Sequence, residues 1–310
     1  MASIDLGTYT ARALIALVPE SDGMFLPLER KRAYIRLGED FGYSESKTIK
    51  KEAFERTLIA LNDFLASIRK HDVKKVTAVA TGITREAVNG KEFIHYIRKH
   101  TGIKVEIITG RREAVLTGKG VRYSLGVDGH DLIIFDLGGG STEFIFGPIE
   151  NPSLKSVPLG ALTLTQSYME SDPPDPRQLA ACAGHVDDVL KNALAGMDAG
   201  HKKMKVIGTG GTVVTLGAMT HEIPVEAIDP EKLNGLRLEK DKLLGLFNRL
   251  KGLARDEKIK TKGLDPERAE VILGGFLAVI RIMEFLKAKE LTVSMSDMLE
   301  GLLVDCLEGE

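Results

Sequence analysis

The chain has 310 residues, 43% of them hydrophobic, which is enough for two domains with buried cores. Lys and Arg total 42 against 44 Asp and Glu, and the net charge of -2 excludes a general attraction to nucleic acid or an acidic membrane, so any anion site is local. Cys182 and Cys306 form neither a disulfide framework nor a metal-ligand spacing, and the longest apolar run, 271–280, is too short for a membrane span; the expectation is a reduced, cytoplasmic protein with no nucleic-acid or membrane partner.

In chain order, strands at 4–6 and 13–18 around a Gly-Thr turn open the chain as a hairpin. Phe54, Leu58, Leu61, Leu65 and Ile68 then recur at steps of three and four, which predicts an amphipathic helix over 48–70. A buried strand at 73–80, a helix at 91–100, a strand at 105–109 and a helix at 111–125 complete an α/β pattern. After a Gly-Asp turn the theme recurs: strands at 132–135 and 143–146, helices near 160–170 and at 176–198, a strand at 206–208 and a helix from Thr212. Helices at 239–250 and 265–287, a strand at 291–294 and a last helix from Ser296 follow. The duplication predicts two similar lobes facing a cleft, divided as 1–122 and 123–310, with the last helix able to pack back on the first lobe.

Glycine carries the chemical signal: there are 32, many bunched beside Asp, Ser and Thr. Asp136-Leu137-Gly138-Gly139-Gly140-Ser141-Thr142-Glu143 places three consecutive glycines in a hairpin turn, an entropic cost that makes sense where something approaches the backbone closely, and phosphate is the natural guest. Asp136 and Glu143 flank that turn, and carboxylates beside phosphates imply a divalent cation, Mg²⁺ or Mn²⁺ given oxygen ligands without nearby His or Cys. Gly208-Thr209-Gly210-Gly211-Thr212 ends a strand and opens a helix, either a second phosphate loop or a cap that lets the helix pack tightly. Asp5-Leu6-Gly7-Thr8 is either a structural turn or a loop that admits an anion, with Asp5 holding a cation or water. Arg85 either grips phosphate or pairs with Glu86 on the surface, and Glu113 in a first helical turn either complements the helix dipole or orients an attacking water. Arg85, Arg111, Arg112, Lys119 and Arg122 form either a basic track for a long polyanion or a solvated helix face. The seven histidines show no ligand spacing, and no serine sits in a nucleophile elbow.

Taken together, the loops at Asp5 to Thr8, Asp136 to Glu143 and Gly208 to Thr212 resemble the phosphate and adenosine loops of the actin-like ATPase superfamily, which implies two ribonuclease-H-like lobes flanking a cleft. With the Ala80 to Arg85, Gly110 to Ala114, Pro158 to Ala161 and Arg268 to Leu273 segments, the chain is similar to the exopolyphosphatase and guanosine pentaphosphate phosphohydrolase family over 3–303, in its short form. The resemblance implies a phosphohydrolase that releases terminal phosphate from polyphosphate or guanosine pentaphosphate, with Glu113 as catalytic base for water, Asp136 and Glu143 as catalytic residues that assist metal and water placement, and Asp5, Gly7, Thr8, Arg85, Gly138, Gly139, Gly140, Ser141, Gly208, Gly210, Gly211 and Thr212 holding phosphate. A small-molecule kinase of the same superfamily and a non-catalytic sensor are the alternatives, and a homodimer is a possible assembly. Two positions depart from the family pattern: Tyr9 stands where Asn is usual, and Leu299 where a Leu-Arg-Glu-Gly motif has Arg.

Overall fold

Two hairpins with the same four-residue turn begin the two halves of the molecule. The computed structural model describes residues 1–19, 25–39, 41, 46–148, 151–195 and 204–309, and the chain divides into two compact units, Met1–Tyr123 with Asp297–Glu310, and Ser124–Ser296. In the first unit β1 (Ala2–Leu6) and β2 (Thr10–Leu17) are followed by β3 (Leu26–Tyr34), α1 (Lys51–Lys70), β4 (Val76–Ala80), α2 (Ile83–Glu86), α3 (Gly90–Thr101), β5 (Val105–Ile107) and α4 (Gly110–Leu125). The strand order is β3-β2-β1-β4-β5, with β1, β4 and β5 parallel and the hairpin strands antiparallel. Helix α1 buries Phe54, Leu61, Phe64 and Ile68 against Ile4, Leu6 and the rest of this core, while Leu58 and Leu65 lie at the edge of the stripe. Strand β3 went unread in the sequence because Glu29 to Arg32 carry its middle; these charges are matched by neighbours, Glu29 by His71 and Lys31 by Asp63.

The second unit contains β6 (Leu132–Leu137), β7 (Thr142–Phe146), β8 (Ser153–Val157), α5 (Ala161–Tyr168), α6 (Pro176–Ala193), β9 (Lys205–Thr209), α7 (Gly211–Thr220), α8 (Pro230–Leu233), β10 (Arg237–Glu239), α9 (Lys240–Leu250), α10 (Arg255–Lys258), α11 (Ile272–Phe285) and β11 (Glu290–Val293). Its order is β10-β11-β9-β6-β7-β8, with β6, β9 and β11 parallel. Helix α11 is apolar on nearly every side and buried accordingly, packed against α5, α6, α7 and α9. The single helix expected over 265–287 is interrupted: Asp265 caps a short 3-10 turn, Pro266–Arg268, and the α-helix begins only at Ile272. Residues 196–198 of the expected helix 176–198, and His201, lie outside the described residues. Burial pushes the Cys182 thiol up to about 12, and Cys182 and Cys306 are both free. Among the described residues no helix is long and apolar enough to cross a membrane.

The last helix, α12 (Met298–Glu308), belongs to the first unit, so the second lobe read as 123–310 ends at Ser296. Leu299 and Leu303 pack with Leu14, Ala16 and Phe25, and Met298 and Leu302 with Val79, Ile108 and Leu116. The contact with α4 is made on glycine: a Cβ at Gly301 would stand 1.8 Å from the Leu116 carbonyl oxygen, and one at Gly120 1.8 Å from that of Asp297. Backbone cannot yield as a flexible side chain can, so Gly301→Ala is expected to lower stability by about 1–3 kcal/mol or more in chemical denaturation. At the far end Asp305 accepts from Arg112 and from Lys119, the latter at 2.8 Å. Burial pushes the Asp305 carboxyl up, but hydrogen bonds and charge from Lys119 and Arg112 outweigh it and hold the group below its ordinary value. The folded state therefore favours the ionised form, and this stabilisation is present above the unfolded carboxyl pKa and lost as pH falls through the lower folded one. Asp305→Asn should cost about 1 kcal/mol at neutral pH, and thermal melts should show the deficit vanishing at acid pH.

Candidate active site

In each unit the candidate residues gather at the carboxyl ends of parallel strands, where open α/β sheets place ligands. In the first, β1 and β4 end side by side, Leu6 opposite Ala80, and the Thr81 N–H donates to the Leu6 carbonyl. The β1–β2 turn is closed by the Gly7 N–H donating to the Thr10 carbonyl at 2.9 Å. Thr8 is buried, and its Oγ1 lies 2.3 Å from where a Cβ on Gly82 would stand, at a backbone φ of +48, so only glycine serves there. Arg85 follows on α2; its Nη1 donates to the Ile108 carbonyl at 2.8 Å and reaches Glu113 Oε2 at 3.5 Å. The structure thus brings together Arg85 and Glu113, the latter buried in the first turn of α4. Asp5 faces Arg12 across the hairpin, Arg12 Nε and Nη2 donating to its Oδ2 at 3.0 and 2.7 Å. Burial pushes the Asp5 carboxyl up, against the opposing pull of Arg12.

In the second unit the β6–β7 turn repeats the closure, the Gly138 N–H donating to the Ser141 carbonyl at 3.0 Å. Asp136 and Glu143 are direct cross-strand partners, which puts both carboxylates on one face of the sheet. Both are buried, and Ser156, opposite Glu143 on β8, donates its hydroxyl to Glu143 Oε1 at 2.7 Å. The close approach that the three glycines permit is made by the protein itself on one side. The Gly138 and Gly139 carbonyls accept from Ala161 and Leu162 at the start of α5, and a Cβ on Gly160 would lie 2.2 Å from the Gly139 oxygen.

Thr209 ends β9 in register with Asp136 and is fully buried; among the described residues its Oγ1 has no hydrogen-bond partner. Gly210 follows at a φ of +92, and a Cβ there would stand 2.6 Å from Asp136 Oδ1, so this carboxylate lies directly over the glycine. Helix α7 opens at Gly211, with the Arg268 guanidinium 2.0 Å from where its Cβ would be. Two residues of the expected loop turn inward instead: the Cβ position of Gly208 faces Phe135 and Val213, and the Thr212 hydroxyl lies against Gly275 of α11. The basic track is also partly spent, since Arg112 and Lys119 are bonded to Asp305, Lys119 also to Glu308, and Arg122 is buried. Sequence reasoning did not single out Arg12, Ser156, Thr209, Arg268 or Asp297 at the site. Strand alternation places Arg12 beside Thr10, and Asp297 with Glu300 has the spacing of a helix capping box, so two of the five left a readable signal.

These features define an α/β protein built around acid-flanked glycine loops. The chain belongs to the Ppx/GppA phosphatase family, whose model matches residues 17–310. It is 31% identical over 313 residues to Exopolyphosphatase 2 of Mycobacterium tuberculosis, covering 97% of each chain. It is 28% identical to the Guanosine-5'-triphosphate,3'-diphosphate pyrophosphatase of Vibrio parahaemolyticus, over 99% of this chain and 59% of that protein. The crystal structure of an exopolyphosphatase from Cytophaga hutchinsonii superposes with a TM-score of 0.89 at 28% identity, covering 99% of this chain and 97% of that one. The expected fold class, α/β with ribonuclease-H-like lobes of the actin-like ATPase type, is borne out.

Proposed function

We propose that this protein is a phosphohydrolase that releases the terminal phosphate of inorganic polyphosphate or guanosine pentaphosphate by direct attack of water, assisted by Mg²⁺ or Mn²⁺. The observation that carries the reading is the Asp136–Glu143 pair. Two carboxylates directly opposite each other on a sheet repel, and the sequence keeps both, buried, at the mouth of a glycine turn. Among the described residues no group of three or more His, Cys, Asp or Glu side chains could hold a metal ion. A pair of carboxylates fits a cation of this kind nonetheless, because Mg²⁺ is commonly held by one or two carboxylates with waters and substrate phosphates completing its shell. When bound there, the cation would neutralise charge developing on the transferred phosphoryl group.

The remaining work falls to the chain. Asp136, lying over Gly210, and Glu143, oriented by the Ser156 hydroxyl, are the residues that would hold the cation. The Thr209 hydroxyl and the first amides of α7 would take phosphate oxygens, as the Gly7, Thr8, Gly139, Gly140 and Ser141 segments would in their turns. Glu113, kept in place by Arg85, would accept the proton of the attacking water. Two free thiols support a cytoplasmic setting.

Incubation with polyphosphate and with guanosine pentaphosphate, without an acceptor, is expected to yield free phosphate; transfer only to an added acceptor, or binding without turnover, overturns the reading. Glu113→Gln should lower kcat by about 10² to 10⁴ while leaving substrate affinity nearly unchanged, measurable by phosphate release beside equilibrium binding. Ser156→Ala leaves both acids in place but removes one hydrogen bond that orients Glu143, so the divalent-ion concentration giving half-maximal activity should rise by roughly tenfold.

A further inference from the structure

The hydrogen-bonded chain that begins at Asp5 does not end at Arg12. Arg12 spends Nε and Nη2 on Asp5, and its remaining amine, Nη1, donates to Asp297. Asp297 is the N-cap of α12: its Oδ1 accepts from the Leu299 N–H at 3.2 Å, and its own N–H donates to Glu300 Oε2 at 2.9 Å. Glu300 Oε1 in turn accepts from Arg30 of β3. Asp5, Asp297 and Glu300 are each at most 4% exposed, so three buried carboxylates share one network with two half-buried guanidiniums. The position where the family pattern has Arg is Leu299 here, packed among Leu14, Ala16, Phe25 and Leu303, so these network cations come from the sheet and not from the helix. One atom stands out of this accounting: Asp5 Oδ1 is buried and, among the described residues, accepts no hydrogen bond.

A guanidinium held on one edge pivots; held by carboxylates on two edges, it does not. We propose that Asp297 is a positioning residue for Asp5. By clamping Arg12 from the helix side, it commits Asp5 Oδ2 to the guanidinium and leaves Oδ1 as a fixed, open acceptor for the water or hydrated cation that accompanies the terminal phosphate. Leaving a buried carboxylate oxygen unsatisfied is costly in the resting protein, and Asp5 Oδ1 is such an oxygen. A donor arriving with substrate relieves it. The inference rests on the phosphohydrolase reading but assigns a role outside the loops.

The test separates the clamp from the cap. Asp297→Asn keeps a side-chain acceptor for the Leu299 N–H, since Asn and Asp cap helices about equally well, but gives Arg12 a neutral partner. Arg12→Lys breaks the same bridge from the other end, keeping the charge while losing the second edge. With polyphosphate as substrate, each variant should show kcat lowered roughly ten- to a hundredfold with KM changed less than about twofold, as expected when a group is misplaced without loss of binding. The double variant should be no slower than the worse single one. Thermal melts identify any variant that fails to fold, and the other then decides. Unchanged kcat in a folded variant overturns the clamp, as does a loss confined to KM or a double variant whose losses multiply. A parent protein that releases no phosphate, or a fully active Glu113→Gln, instead overturns the reading of the reaction.

Discussion

What each hairpin puts opposite its first acid sets the electrostatics of its unit. Both hairpins carry an aspartate two residues before a turn glycine, and both turns close through the same amide-to-carbonyl bond. In the first, Arg12 faces Asp5, and the pair is neutral before α12 is added. In the second, the residue facing Asp136 is another acid, Glu143. One backbone design therefore yields two different sites: an acid gripped by a guanidinium, and an acid facing a second acid across the strands. The supports follow from that difference. Asp297 and Glu300 extend a network of alternating charge in the first unit, whereas Glu143 is steadied by a neutral hydroxyl in the second.

The strands that escaped sequence reading share a position. β3, β8 and β10 all lie at sheet edges, where one side of the strand meets solvent or long charged side chains and the apolar alternation that betrays a strand is lost. Interior strands such as β6, buried at every residue, read clearly as apolar runs. Helices were legible wherever a single face was apolar, as in α1; the break before α11 was not, because Asp265-Pro266 caps a turn inside an otherwise helical composition.

At the site, the glycines and acids were legible because each is an anomaly in its local sequence. Their reasons divide once the structure is known. Gly210 is required by its backbone angle and by the Asp136 carboxylate above it, whereas Gly208 is required by Phe135 and Gly160 by the turn it supports. Ser156 left no mark, and Thr209 was legible only as part of its glycine loop, because register alone gives each its place opposite an acid many residues away. The positive stretch from Arg111 to Arg122 left two readings open, and the structure shows Asp305 and Glu308 answering part of it from far along the chain.

That the first unit takes in both 1–123 and 297–310 has a bearing on how the molecule is made. On a ribosome, Leu14 and Ala16 of β2 and Phe25 just before β3 emerge long before the helix that covers them. The whole of the second unit must be synthesised in between. During that interval an apolar face and the Asp5–Arg12 pair stand open to water and to other nascent chains, so the late arrival of α12 is the step that seals a part of the unit made well before it.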